Sequence, residues 1–274
     1  MQSIDVRNML NAIITLTTDF GLKDPYVAEM KAVILGINPD AKIVDISHNI
    51  EKFNIRMGAY VLAAAAQHFP KNTIHLAVVD PGVGTKRKAI LIETEKAYFV
   101  GPDNGILALA AEKQGLKRVH KLSNRKFMLP EISATFHGRD IFAPAAAFLS
   151  KGVSPSEFGP VIRRIVKPKF AEVTRKNNIL IGEVIHVDDF GNIITNITSK
   201  DLEELRLKLA KNVKLKLKDA WLKVRLCSAY AEAKAKTPIG IIGSHDFLEI
   251  SINMGNAAEI FQVKTGDKVT VYRY

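Results

Sequence analysis

Short apolar runs closed by polar or glycine-bearing turns alternate with stretches of helical periodicity through the first part of the chain. Ile13 to Thr17 reads as a strand, and Asp24-Pro25 predicts a helix to about Gly36, with the aspartate as N-cap and the proline at the first helical position. Strand Lys42 to Ile46, helix Ile55 to His68 and strand Ile74 to Val79 continue the alternation. Ala89 to Glu93 and Ala97 to Val100 add strands, an alanine-rich helix follows Gly101-Pro102-Asp103-Asn104-Gly105, and a helix from about Arg139 to Ser150 closes the region. Such alternation marks a layered α/β domain with a mainly parallel sheet.

Beyond Val161 the pattern changes. Arg163-Arg164 and Lys167-Pro168-Lys169 look like an exposed connector, and after it come short alternating segments at Leu180 to Val187, Asn192 to Ile197, Val213 to Leu217, Phe247 to Ile252 and Lys268 to Tyr272. One helix, Asp201 to Ala210, interrupts them, with Thr198 and Asp201 in capping-box spacing. The expected organisation is an α/β domain over residues 1–165, a linker over 166–178 and a smaller β domain, barrel or sandwich, over 179–274.

Composition supports a globular chain: 274 residues, 47% hydrophobic and 24% charged, are enough for a substantial core. The longest apolar stretch, Tyr60 to Ala66, is far below the ~20 residues of a membrane span. No basic-then-apolar leader is visible, and the single cysteine, Cys227, excludes an internal disulfide; both suit the cytoplasm. The net charge of +11 raises the question of a nucleic-acid partner. Against it, the lysines are dispersed, and Lys214-Leu215-Lys216-Leu217-Lys218 alternates as a half-exposed strand does.

Candidate chemistry lies where strands end. The run Ile74 to Val79 stops at Asp80-Pro81-Gly82-Val83-Gly84, with Arg87 seven residues after the aspartate, and Phe136-His137-Gly138-Arg139-Asp140 offers an imidazole in a second turn. In an open α/β sheet ligands bind at the carboxyl ends of strands, so acid, cation and base could meet there. Taken singly, the Asp80–Arg87 pair reads equally well as an ion bridge and His137 as a turn residue. Thr18-Asp19-Phe20-Gly21 ends the first strand with a carboxylate suited to the two hydroxyls of a ribose, or to a turn. There is no GxGxxG, GxxxxGK[ST] or GxSxG, and His48, His186 and His245 lack metal-ligand spacing.

Taken together, Thr18-Asp19-Phe20-Gly21, Asp45-Ile46-Ser47-His48, Asp80-Pro81-Gly82-Val83-Gly84, Gly101-Pro102-Asp103-Asn104-Gly105, Phe136-His137-Gly138-Arg139-Asp140 and Asp188-Asp189-Phe190-Gly191-Asn192 closely resemble, in order, the S-adenosylmethionine hydroxide adenosyltransferases, hydrolytic relatives of the fluorinase and chlorinase. The resemblance implies attack of water on C5′ of S-adenosylmethionine, giving adenosine and L-methionine without a metal or other cofactor. It implies that Asp80, Arg87 and His137 hold and polarise the water. Asp19 would bind the ribose hydroxyls, Asp24 and Tyr26 the methionine end, and Phe53 would line the methionyl side. Asp188 would meet the methionine ammonium and Phe190 the adenine, with Asn192 beside them and the backbone of Asn256-Ala257 on the adenine edge. It also implies a homotrimer with sites between subunits. The halogenating enzymes resemble this chain except for tyrosines at the positions of Asp80 and His137, and a halide-binding serine in the fluorinase where Gly138 stands. Two other readings are halide transfer on the same substrate and non-catalytic nucleoside or RNA binding.

Overall fold

A computed structural model describes residues 13–207, 212–218 and 220–273. The chain forms two compact units that divide between Pro168 and Lys169.

The first unit is built on β1 (Ile13–Thr18), α1 (Tyr26–Ile37), β2 (Lys42–Ser47), α2 (Ile55–Ala66), β3 (Ile74–Val78), β4 (Ala89–Thr94), β5 (Tyr98–Pro102), α3 (Ala108–Lys113), β6 (Leu116–Lys121) and α4 (Ala143–Ser150). The sheet order is β2-β1-β3-β5-β4-β6, and the pairs β1–β2, β1–β3 and β3–β5 are parallel. Every residue of β3 is buried, as expected of a strand covered on both faces. One face, with Ile14, Leu16, Ile74, Leu76 and Val78, packs on Met30 and Ile34 of α1 and on α4. On the other, Gly58 of α2 lies against Val79 and Ile106, with too little room for a larger side chain. β4 runs antiparallel to both neighbours, so the sheet is mixed at that edge.

Two helix starts differ from expectation. Pro25, at φ −74°, is itself the N-cap of α1, and Asp24 makes no capping hydrogen bond. The helix expected from Arg139 begins instead as a π-turn, Gly138–Phe142: Ala143 N–H bonds back to the Gly138 carbonyl, and Pro144 has no N–H to tighten the turn.

The second unit contains β7 (Thr174–Lys176), β8 (Ile179–Val187), β9 (Ile193–Thr198), α5 (Ser199–Glu204), β10 (Asn212–Leu217), β11 (Ala220–Cys227), β12 (Pro238–Ile242), β13 (Phe247–Ile252), α6 (Ala257–Phe261) and β14 (Lys268–Tyr272). Strands run β14-β10-β11-β12-β13-β9-β8, and β14 also pairs with β8, so the sheet closes into a barrel. Within 166–178, Phe170 is buried and β7 pairs with β8. The Thr198–Asp201 capping box is formed. α5 is shorter than expected because Arg206 turns left-handed at φ +57°; the remainder of the expected helix, 208–210, lies outside the described residues. Val213, Leu215 and Leu217 face the core while Lys214 and Lys216 face outward, with the Lys214 ammonium 4.1 Å above the Trp221 ring. Cys227 is a buried free thiol. Among the described residues no helix is long and apolar enough to cross a membrane.

Candidate active site

The strand order decides where a ligand can enter. From β1 the chain passes to β2 on one side and then to β3 on the other, so the connections diverge at the carboxyl ends of β1 and β3. Thr18 pairs with Val78, and Asp19 and Asp80 therefore leave neighbouring strands at the same sheet edge. A cavity of about 340 Å³ opens there, with Asp19, Tyr26, Phe53, Asp80, Phe136 and His137 among its walls.

Arg87 links the two predicted turns. Its Nε lies 3.0 and 2.9 Å from the Asp80 carboxylate oxygens, its Nη2 2.5 Å from Oδ2, and the same Nη2 2.7 Å from His137 Nδ1. The side chains of Arg87 and Asp80 are only 9% and 4% exposed, and the guanidinium sits 5.2 Å over the buried Phe142 ring. A guanidinium has no acceptor, so His137 Nδ1 must accept this bond. The imidazole is then neutral, with its proton on Nε2. Burial, and after it the Arg87 cation, hold its pKa below the usual 6.5.

The turns are locked by backbone. Gly84 has φ +76°, and a Cβ there would stand 2.4 Å from the Ala134 carbonyl oxygen, so glycine alone lets the Asp80 loop close on the segment leading to His137. Asn104, in the Gly101–Gly105 motif, donates its amide to the Val79 carbonyl at 2.8 Å, immediately before Asp80.

Asp19 is 5% exposed, and its Oδ2 accepts the Phe53 N–H at 2.9 Å. Lys52 donates to the Asp19 carbonyl. Phe53 is largely exposed and held at φ +63°, a conformation its sequence does not signal. Tyr26 meets Phe136 edge-on at 5.3 Å in the cavity wall, whereas Asp24 is exposed and not part of that wall. Lys52 and Phe136 also line the cavity, and their only signal in the sequence is their adjacency to Phe53 and His137.

The second unit gathers Asp188, Phe190, Asn192, Asn256 and Ala257 in one place. Asp188 Oδ1 accepts the N–H groups of Phe190 and Asn192 at 3.0 and 2.8 Å, and Oδ2 accepts the Asn192 amide at 2.9 Å. The turn rests on α6, where Asn256 caps the helix and Ala258 N–H bonds to the Gly191 carbonyl. Gly191, at φ +80°, leaves space that Asn256 fills. Phe190 stands 80% exposed at the tip, its ring unoccupied by intramolecular packing. Among the described residues no group of three or more His, Cys, Asp and Glu could hold a metal.

A crevice at a sheet switch point, walled by aromatics and holding a shielded carboxylate–guanidinium–imidazole chain, defines an enzyme that aims a small nucleophile at a bound organic substrate. Residues 14–159 and 182–270 match the models of the N-terminal and C-terminal domains of the SAM hydroxide adenosyltransferases, and the chain belongs to that family. It is 40% identical to a protein of Methanocaldococcus jannaschii named (R)-S-adenosyl-L-methionine hydrolase, over 98% of each chain. A fluorinase of an Actinoplanes species is 26% identical, over 95% of this chain and 97% of its own. The crystal structure of an uncharacterized conserved protein from Thermotoga maritima superposes with a TM-score of 0.87 at 39% identity, covering 95% of this chain and all of that one.

Proposed function

We propose that the protein hydrolyses S-adenosyl-L-methionine to adenosine and L-methionine by in-line attack of water on C5′. The observation that carries the reading is the Asp80–Arg87–His137 chain at the cavity wall. The name of the Methanocaldococcus relative supports the same substrate. As the water oxygen bonds to C5′, the C5′–S bond breaks and its electron pair leaves on sulfur, turning the sulfonium into a neutral thioether. The leaving group needs no acid, so the reading requires no metal and no redox cofactor. What must be supplied is a partly dehydrated, aimed water and an acceptor for its proton.

His137 Nδ1 is committed to Arg87, and the ring therefore presents Nε2–H, a donor that orients the water oxygen. Asp80 is the acceptor in this arrangement: its oxygens take hydrogen bonds from Arg87 and retain lone pairs for the proton. Asp19 takes the ribose diol, Tyr26 and Phe53 flank the methionyl side with Asp24 near its end, and Asp188, Phe190, Asn192 and the Asn256-Ala257 backbone serve the ammonium and the adenine. Their split between the units supports sites shared between subunits of a homotrimer, and the single cysteine suits the cytoplasm. Asp188 and Asn192 are bound to one another, so they would act as one preformed turn.

Incubation with S-adenosylmethionine in oxygen-18 water, followed by mass analysis, tests the reaction. Label at the 5′-oxygen of adenosine is the expected result; unlabelled adenosine, or none, would refute it.

A further inference from the structure

Asp45-Ile46-Ser47-His48 touches none of the chemistry above, yet His48 is buried, 4% exposed just past the end of β2. Its Nδ1 lies 2.9 Å from Thr18 Oγ1. That hydroxyl also accepts the Phe20 N–H at 3.3 Å, so it joins the loop to the ring. His48 Nε2 lies 3.0 Å from Asp45 Oδ1 though not aligned as a hydrogen bond, and Asp45 Oδ2 holds the Lys31 ammonium at 2.6 Å. Backbone ties run the same way: Gly21 N–H to the His48 carbonyl at 2.7 Å and Ile50 N–H to the Thr18 carbonyl at 3.4 Å.

All these ties straddle Asp19. Thr18 and Gly21 are fastened to His48 and Ile50, and Phe20 to Thr18, while Asp19 itself is met by Lys52 and Phe53. A loop leaving a strand end has few constraints of its own, and a carboxylate that must meet two hydroxyls at once tolerates little rotation. We infer that His48 is a positioning residue, which through Thr18 sets the carboxylate of Asp19 for the vicinal hydroxyls of the ribose. The inference rests on the ribose role assigned to Asp19 above. A plain structural part for His48 would loosen the whole site; positioning affects the diol contact selectively.

The test compares adenosine with 2′,3′-dideoxyadenosine, which lacks both hydroxyls, by calorimetric titration of wild type, His48→Ala, His48→Asn and Thr18→Val. His48→Ala is expected to weaken adenosine roughly tenfold, the scale of one misplaced charge-assisted hydrogen bond, and dideoxyadenosine by less than about twofold. Asparagine can place its amide oxygen or nitrogen where Nδ1 meets Thr18 Oγ1, so His48→Asn recovers most of the affinity. Thr18→Val, nearly isosteric, reproduces the His48→Ala pattern and carries the test if the alanine variant does not fold. Equal weakening of both nucleosides, unchanged adenosine binding, or an asparagine variant no better than alanine would overturn the inference. A wild type that binds adenosine but releases none from S-adenosylmethionine would refute the reaction while leaving the nucleoside comparison as the measure of His48.

Discussion

One hydrogen bond, Arg87 Nη2 to His137 Nδ1, sorts the roles of the three central residues. The sequence brought Asp80, Arg87 and His137 to one place but left open which group takes the proton, because donor direction depends on which ring nitrogen faces the arginine. With Nδ1 occupied, Asp80→Ala should slow adenosine formation by about a hundredfold or more, the usual scale for a positioned acid–base group. Arg87→Lys should fail to restore turnover, since an ammonium cannot reproduce the planar fork whose Nε and Nη2 hold the Asp80 carboxylate while Nη2 also reaches His137 Nδ1; near-wild-type rates in either would refute the arrangement. The lowered pKa of His137 adds a sign. The working imidazole is neutral, so kcat/KM should hold as pH falls to about 6.5 and drop only below it, as the proton on Nδ1 displaces Arg87. An acid limb above that pH would contradict the assignment. The Asp80 charge also bears on the nucleophile: at a few ångströms it disfavours a halide by roughly 1 to 4 kcal/mol, so adenosine should remain the product in high chloride, assayed against 5′-chloro-5′-deoxyadenosine.

At the scale of elements, the periodic runs were legible where one face or both faces are dry. β3 is buried on both faces and apolar except for His75, and its nearly continuous run reads directly as a buried strand. β12 has no strand signature because Pro238 and Gly240 are turn residues in most contexts; here Gly240 lies close against the Leu226 side chain. β11 alternates Trp221, Lys223 and Arg225 outward, a pattern as clear as that of β10, but without the lysine repeat that drew attention. The helix begins one residue later than the Asp24-Pro25 pair predicts, at Tyr26 with Pro25 as N-cap, which leaves Asp24 one residue too early to cap it. One buried polar residue within β3 makes the sheet testable. His75 is fully buried, bonded to Thr15 at 2.8 Å and stacked on Phe99, and burial lowers its pKa to about 3. Between pH 6.5 and about 3 the unfolded chain binds a proton at this site that the fold refuses. Its contribution to stability is therefore intact above 6.5 and lost as pH falls, at up to about 1.4 kcal/mol per pH unit. His75→Asn, uncharged and able to keep the Thr15 bond, should flatten the pH dependence of urea-unfolding free energy by close to one proton; an unchanged slope would show that His75 is not the group responsible.

At the scale of the whole molecule, the residues assigned to one substrate fall into two sets on two compact units: Asp19, Asp80, Arg87 and His137 in the α/β unit, and Asp188, Phe190 and Asn192 on the barrel. The barrel set ends in Phe190, a large apolar side chain left 80% exposed, which a ligand or another chain could cover. A head-to-tail ring would supply that cover by symmetry, one subunit's Phe190 completing the next subunit's cavity. The arrangement can be tested with two inactive chains. Asp80→Ala disables the α/β unit, and Phe190→Asp, at a position whose exposure spares the fold, disables the barrel's part. Each alone should be inactive. If sites are shared, co-expressing the two in equal amounts pairs an intact α/β unit with an intact barrel turn in roughly a quarter of sites, by random assembly of a closed ring. Adenosine release should return to about that fraction of wild type per subunit, in a species sedimenting as a trimer. A mixture as inactive as its components would show that each site is completed within a single chain, and the homotrimer with shared sites would have to be abandoned.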